Sequence, residues 1–485
     1  MSGDGGLTIS GGGSVQVASD ALFTDAQSLE AVSEQLRRAV AELSRIDARV
    51  RIGLLHQADA PVSALDAEAQ IHSAARLLHA AGSRASTIAA MLRLSAEGYG
   101  RAERLGERAV QELAARLGYG IGMLLPALVA VMLPALPAAV AALAVASLAS
   151  PGWHRRVPGA MGAWFADNNR VLTNPGTVAL VRASAMSIDD LIAGAFRVPP
   201  PLVQALGDEG AGVVGLGTSA AFIAATGSRV GILADGPVAA RPRVQRDVAA
   251  PPRGLAERLD RIPQRVHDAE GRPAGAHVLV ERYSQAGRPD RFEVYITGTA
   301  DFSPVAGAEP FDLTSGVTGM AGMPAASIDA VRQAMADSGV TAESPVQFTG
   351  FSQGGLIAAQ LAASGDYNTA GVFTAGSPTG QIEIPAEAAV LELEHSDDIV
   401  PALGGARTDL NAVLVEREAF AGRETPDGVA VPSHDRGEYR QTALLAERAG
   451  SERVRGVVDR LDDFSAGATS IVSTSYVAER VGAGR

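Results

Sequence analysis

The chain has 485 residues, 47% of them hydrophobic and 20% charged, as expected for a folded protein with more than one domain. Its formal net charge of −13 argues against nucleic acid as a partner, because binding phosphates requires basic patches. The absence of cysteine excludes disulfides, a thiol nucleophile and cysteine-ligated metal. The first residues form neither a basic nor an apolar segment, so we expect no cleavable secretory signal.

The N-terminal region, residues 1–117, predicts a pair of long helices. Apolar residues recur there at three- and four-residue steps and so share one helix face, namely Leu29, Val32, Leu36, Val40 and Leu43. Pro61 and Ser63 interrupt the pattern with turn and N-cap chemistry, and a helical pattern resumes at Ala64. We therefore predict an antiparallel hairpin whose apolar face needs a partner surface in this chain or in another one.

The second region, residues 118–235, is apolar and rich in Gly and Ala. No charged residue occurs between Leu117 and Trp153, a stretch long enough to span a membrane. Prolines within it, including Pro126 and Pro134, would kink or split a single helix. Two interpretations stay open: a segment that inserts into or contacts a membrane, and a buried pair of helices.

A glycine motif also occurs in this region. The run from Gly210 to Gly215 fits G-x-G-x-x-G, and Asp235 lies twenty residues after the last glycine. A dinucleotide site requires a strand before the glycines, whereas Leu202–Leu206 leads into Gly-Asp-Glu-Gly. We therefore favour helix packing through small residues, and we predict neither an organic cofactor nor a metal.

The remainder of the chain predicts an α/β domain. Residues 236–260 are rich in Pro, Ala and Arg, and we expect a linker there. Strand and helix patterns alternate over residues 261–450, which predicts a mainly parallel sheet covered by helices. The strands are expected over 276–281, 292–297, 345–349, 370–374, 388–393 and 412–415, with helices over 328–336 and 356–361. Residues 451–485 predict an amphipathic helix and a polar tail.

Ser352 is the candidate nucleophile. It lies in Gly350-Phe351-Ser352-Gln353-Gly354, directly after one predicted strand and before a predicted helix. A serine on such a strained turn lifts its hydroxyl above the sheet, and side chains at the glycines would collide with the strand and the helix. The pentapeptide alone is weak in a chain with 54 glycines, but its strand–turn–helix setting predicts a nucleophilic serine.

A serine nucleophile needs a histidine base and a carboxylate that orients the base. Asp397 and Asp398 directly follow a predicted strand, and His434 is the only histidine after them. The alternatives are a solvated Asp-Asp turn and a surface histidine that caps the next helix. We expect His395, which precedes the two aspartates, to be structural.

Parts of this region resemble the class 3 (fungal-type) lipases of the α/β-hydrolase superfamily. The motifs are Asp398-Ile399-Val400-Pro401 (D-x-V-P), Gly376-Ser377-Pro378 (G-S-P) and Tyr295-Ile296-Thr297-Gly298-Thr299, which is similar to the oxyanion strand. The resemblance spans about residues 265–450. It implies Asp398 as the acid, with Thr299 and the backbone N–H of Gln353 as oxyanion donors. The family usually has His where this chain has Phe351, which leaves the substrate class open.

The expected fold class is therefore α/β, an α/β-hydrolase domain with a mainly parallel sheet, preceded by all-α helical domains. The resemblance implies a serine esterase or lipase that cleaves carboxylic esters, with a lipid or another hydrophobic ester as substrate. The Gly-, Ala- and Met-containing segment Asp301–Pro324 is a candidate flap over the site. The alternative is a non-catalytic scaffold on the same fold, which predicts no reactive serine.

The N-terminal hairpin is similar to helix–turn–helix domains exported by type VII (ESX-type, WXG100-like) secretion. Tyr99-Gly100-Arg101-Ala102-Glu103 fits their Y-x-x-x-D/E motif, whereas no Trp-x-Gly occurs near Ala60. The resemblance implies a secreted or cell-envelope protein whose residues 1–117 bind a helical partner or chaperone. One form of this hypothesis is a secreted effector that acts on the lipids of a target cell. An ordinary pair of surface helices in a cytoplasmic protein is the alternative.

Overall fold

A computed structural model describes residues 7–11, 14–49, 68–91, 159, 162–186, 220–221, 224–225, 228, 233–264, 266–267, 273–303, 305–408 and 411–482. The chain divides into two compact units, residues 13–109 and residues 1–12 with 110–485. The apolar run 118–152, the glycine motif 210–215 and the motif 99–103 lie outside the described residues. No helix of the described part is both long and apolar enough to cross a membrane.

The smaller unit contains two described helices, α1 (Ser14–Arg49) and α2 (68–91). Ser33 Oγ donates to Gly82 O at 2.9 Å, and His72 Nε2 lies 3.3 Å from Asp47 Oδ2. The residue nearer the end of α1 therefore meets the residue nearer the start of α2, so the helices run antiparallel, as predicted. The small Ser33 is buried at this crossing, while Val32, from the predicted apolar face, is 45% exposed.

The larger unit is built on a mixed sheet. Its strands are β1 (Leu7–Gly11), β2 (Val238–Asp247), β5 (Val278–Ser284), β6 (Arg291–Ile296), β7 (Pro345–Phe351), β8 (Asn368–Ala375), β9 (Ala389–His395), β10 (Val413–Arg417) and β11 (Ser470–Arg480). They are ordered β1-β10-β9-β8-β7-β6-β5-β11-β2, while β3 (Val266–His267) pairs only with β4 (Pro273–Ala274). Strands β6 to β10 are parallel, and the others pair antiparallel. The predicted α/β class with a mostly parallel centre is therefore confirmed.

Helices cover both faces of this sheet. They are α3 (Asn169–Leu172), α4 (Pro175–Met186), α5 (Gly254–Arg261), α6 (Leu313–Met320), α7 (Ala326–Asp337), α8 (Gln353–Ala363), α9 (Ile399–Ala402), α10 (Arg436–Arg448) and α11 (Glu452–Ser465). Successive residues of a strand point to opposite faces. In β8, Val372 joins the core beneath α7 and α8, and Phe373 joins the core beneath α5, α10 and α11. The sheet therefore separates two apolar cores.

Two predicted boundaries are wrong. The expected linker 236–260 contains strand β2 and helix α5, and the expected polar tail contains β11, which lies between β5 and β2 inside the sheet. Strand β2 forms an edge of the sheet, and a proline such as Pro242 is tolerated in an edge strand because one side of that strand makes no ladder bonds. Its arginines are exposed there, so the composition resembles that of a linker.

Candidate active site

Ser352 lies at the carboxyl end of β7, on the turn into α8. Its φ of 57° and ψ of −126° form a strained conformation for a residue with a side chain. The neighbouring glycines are sterically required: a Cβ on Gly350 would lie 2.3 Å from the carbonyl carbon of Gly354. A Cβ on Gly354 would lie 2.2 Å from Ile296 O on the adjacent strand. The turn therefore depends on the G-x-S-x-G pattern for purely steric reasons.

The predicted base lies next to this serine, and the predicted acid lies next to the base. His434 Nε2 is 2.9 Å from Ser352 Oγ, and His434 Nδ1 is 2.6 Å from Asp398 Oδ2. An ionised carboxylate only accepts hydrogen bonds, so Nδ1 carries the ring proton and Nε2 can accept the serine proton. The ring of His434 stacks on Phe351, with centroids 4.9 Å apart. The structure thus brings the three residues together in the order serine, histidine, aspartate.

Asp398 is fully buried but has three donors. Besides His434, its Oδ2 accepts from the Tyr439 hydroxyl at 2.8 Å, and its Oδ1 accepts from Val400 N at 3.0 Å. Burial, reinforced by the negative charge of Asp398, raises the pKa of Tyr439 well above its usual value. Tyr439 therefore keeps its proton and donates, which holds the carboxylate in one orientation.

Asp397 and His395 have other partners. The two carboxylate oxygens of Asp397 accept from Ala419 N and Phe420 N, each at 2.9 Å, so this residue braces a loop. His395 is fully buried beneath Tyr439, with centroids 3.8 Å apart. Of the two adjacent aspartates, Asp398 is therefore the one placed beside the histidine.

The predicted oxyanion residues are linked to each other. Thr299 lies just after β6, and its hydroxyl donates to Gln353 Oε1 at 3.1 Å. The amide nitrogen of Gln353 in turn donates to Asp312 O at 3.2 Å. The backbone N–H of Gln353 belongs to the first turn of α8 and has no acceptor within the helix. Helix geometry therefore leaves this N–H without an acceptor inside α8, and no hydrogen bond from it to another described residue is present. The Thr299 hydroxyl, in contrast, is directed at the Gln353 side chain.

The predicted flap, Asp301–Pro324, contains helix α6 and is anchored at its centre. Asp312 caps α6 by accepting from Ser315 N at 2.8 Å. Its two carboxylate oxygens also bind Arg480, at the end of β11, at 2.7 and 2.8 Å. Burial raises the pKa of Asp312 to about 6. The middle of the segment is therefore fixed to the sheet.

One residue that holds a loop of the candidate site lies outside the predicted catalytic region. Asn169, on α3, donates its amide hydrogens to Pro426 O at 2.7 Å and Val429 O at 3.0 Å, in the loop before His434. Helix α4 packs against α9, which begins directly after Asp398. Residues 162–186 therefore contact the loops of both the acid and the histidine. Asn169 lies among other polar residues, Asp167-Asn168-Asn169-Arg170, so the sequence carried no specific signal for this role.

The glycine motif gains no support from the residue expected to accompany it. Asp235 accepts from Arg480 Nε at 2.7 Å and from Ala326 N at 2.9 Å, so both its oxygens are bound within the protein. Among the described residues, no group of three His, Asp or Glu side chains is arranged to hold a metal ion.

Comparisons with known proteins add no relative. No family model, no curated protein and no solved structure matches this chain. A function can therefore be inferred only from the geometry around Ser352 and from the sequence motifs.

Proposed function

We propose that this protein is a serine hydrolase that cleaves carboxylic esters with Ser352 as nucleophile, His434 as base and Asp398 as acid. The observation that carries the proposal is the pair of contacts made by His434, 2.9 Å to Ser352 Oγ and 2.6 Å to Asp398 Oδ2. Both fall within the range in which a histidine can take a proton from a nucleophile while a carboxylate orients it. The strained backbone of Ser352 supports the same role.

The reaction follows from this arrangement. Ser352 Oγ attacks the ester carbonyl carbon while His434 Nε2 takes the hydroxyl proton, and Asp398 stabilises the resulting imidazolium. The imidazolium then gives that proton to the departing alcohol oxygen, which leaves an acyl group on Ser352. His434 next deprotonates a water molecule that attacks the acyl carbon. The proton returns to Ser352 as the carboxylic acid departs.

The negative carbonyl oxygen of each tetrahedral intermediate needs preorganised donors. We propose the backbone N–H of Gln353 as the main donor, because it lies at the positive end of α8. Gly298 allows the neighbouring loop to approach, since a Cβ there would lie 3.0 Å from Ser352 Cβ. Thr299 is the second donor in this proposal, and its hydroxyl would exchange Gln353 Oε1 for the oxyanion.

Exposed apolar side chains support a hydrophobic substrate. Phe302, Leu403 and Val429 are 54%, 43% and 44% exposed. They occupy the segments that follow Thr299, follow Asp398 and precede His434, at the carboxyl end of the parallel strands. An apolar acyl chain would be desolvated by such a surface. The preference for an ester over an amide rests on the resemblance to class 3 lipases, and secretion through the N-terminal hairpin stays a prediction.

The test is labelling of the purified full-length protein with a fluorophosphonate probe, with Ser352→Ala alongside. We expect labelling of the wild type and none of the variant, followed by hydrolysis of p-nitrophenyl esters that improves with acyl length. Labelling that persists in Ser352→Ala would place the nucleophile elsewhere. A folded wild type that stays unlabelled with and without detergent would favour the non-catalytic scaffold.

A further inference from the structure

His395 is the last residue of β9, three positions before Asp398, and it is fully buried. Its ring lies almost parallel to that of Tyr439, with centroids 3.8 Å apart and an interplanar angle of 13°. It does not contact Ser352 through any described hydrogen bond. Its contacts lead instead to His434, which contacts Ser352, and to Asp398, which orients His434.

The first connection leads to His434. His395 Nδ1 lies 2.6 Å from the carbonyl oxygen of Ser433, the residue before His434. A carbonyl only accepts, so Nδ1 carries the proton. The Thr442 hydroxyl lies 2.7 Å from Nε2 and 3.0 Å from Glu438 O, so its single proton is shared between these two acceptors. Burial lowers the pKa of His395 to about 4, so the ring stays neutral in this tautomer at neutral pH. The contact therefore fixes the backbone that presents His434.

The second connection leads to Asp398. The backbone N–H of His395 donates to the Tyr439 hydroxyl at 3.2 Å, and that hydroxyl donates to Asp398 Oδ2 at 2.8 Å. The surrounding packing is tight at Gly376, whose φ is 62°. A Cβ there would lie 2.9 Å from Tyr439 Cε2 and 3.0 Å from His434 Cε1. Both rings can therefore lie where they do only because residue 376 is a glycine.

We infer that His395 is a positioning residue for the proposed reaction, which fixes His434 through Ser433 and Asp398 through Tyr439. The inference rests on the proposed function, because positioning matters only if Ser352 reacts. His395 itself touches neither the substrate nor the reacting atoms.

Two substitutions of His395 distinguish a residue that positions His434 from one that only fills space in the core. In His395→Asn the amide nitrogen takes the place of Nδ1 and can still donate to Ser433 O, whereas the amide of His395→Gln takes the place of Nε2. We expect His395→Asn to keep the fluorophosphonate labelling rate within about threefold of wild type. His395→Gln should lower it by about 10- to 100-fold, with the KM for a p-nitrophenyl ester unchanged. Equal losses, or a larger loss in His395→Asn, would overturn the inference.

Tyr439→Phe tests the second connection without changing the packing. We expect kcat to fall about tenfold at constant KM. The labelling rate, followed from about pH 5 to about pH 9, should lie below that of wild type, because Asp398 with one donor fewer is held less firmly against His434. The control is Tyr283→Phe, which removes another buried hydroxyl, bonded to Glu281 at 2.7 Å. A Tyr439→Phe profile that coincides with the control would refute positioning of the acid.

Failure of the inference and failure of the proposed function give different results. An unlabelled wild type defeats both. A wild type labelled at Ser352, with His395→Gln and Tyr439→Phe reacting at the wild-type rate, defeats only the positioning role. If the His395 variants do not fold, Tyr439→Phe decides, since it retains the buried ring.

Discussion

The sheet carries two clusters of buried polar side chains, and they differ in one respect. The first surrounds Asp398 at the carboxyl end of the parallel strands. The second lies beside β5, β6 and α5, where the fully buried Arg258 donates to Glu293 Oε1 at 3.1 Å and to Asp462 Oδ1 at 2.5 Å. Glu293 also accepts from the Thr349 hydroxyl at 3.1 Å. The buried charge of Arg258 is therefore balanced by carboxylates within the protein.

The difference is which groups meet solvent. Arg258 and Glu293 have no exposed side-chain surface, and the partly exposed member of their cluster, Asp462, is a carboxylate paired with Arg258. In the first cluster the groups that meet solvent are Ser352, which is 7% exposed, and His434, whose side chain is 17% exposed. The backbone strain is likewise found at Ser352. Burial and ion pairing are common to both clusters, so neither property identifies a site alone. A cluster can act on a substrate only where a reactive atom meets an opening.

The largest expected effect comes from the two adjacent aspartates. Asp398→Asn should lower kcat by about 10⁴-fold, because the amide favours the wrong tautomer of His434. Asp397→Asn should keep kcat within roughly threefold of the wild-type value, since Asp397 bonds only Ala419 N and Phe420 N among the contacts described. It should instead lower the melting temperature, because those two hydrogen bonds are weakened. The measurement is steady-state kinetics on a p-nitrophenyl ester. The opposite ranking would assign the acid to Asp397.

The second cluster should govern stability without governing reactivity. Arg258→Met leaves the buried carboxylate of Glu293 without its cation, and we expect unfolding in urea to lose about 3–5 kcal/mol of free energy. Labelling of the folded fraction at Ser352 should persist. Arg440→Met is the matched control, because its ion pair with Asp260 is exposed and is worth less than about 1 kcal/mol. A loss of labelling in folded Arg258→Met would mean that the two clusters are coupled.

The smallest expected effect concerns Glu394, which lies on β9, the strand that precedes Asp398. Its Oε2 lies 3.1 Å from Arg182 Nη2. Burial raises the pKa of Glu394 to about 7, opposed by Arg182. The folded state thus binds this proton more tightly than the unfolded state, and the stabilisation is lost as pH rises through about 7. Glu394→Gln should therefore stabilise the protein by roughly 1–3 kcal/mol at about pH 8 and by less at about pH 5. Urea unfolding at both values checks this, and a variant less stable than wild type at the higher pH would contradict it.

The sequence by itself determined the local features. The G-x-S-x-G turn and the two aspartates after a strand are each recognised from a few consecutive residues. The histidine is recognised because it is the only one after those aspartates. Helix and strand periodicity likewise predicted the α/β class and the N-terminal helices, because periodicity reflects which side chains face a core. The hydrolase family, the membrane contact and the secretion route stay predictions.

Tertiary structure decided the rest. Asp398 is distinguished from Asp397 by Tyr439 and His434, which are 41 and 36 residues away, and no local pattern contains that information. The C-terminal β11 joins the sheet by pairing with β5, and β2 joins it by pairing with β11, each across more than a hundred residues. Periodicity shows that a residue faces a core, but its partner there is set by how distant segments pack, because hydrogen bonds form between atoms that folding brings within about 3 Å.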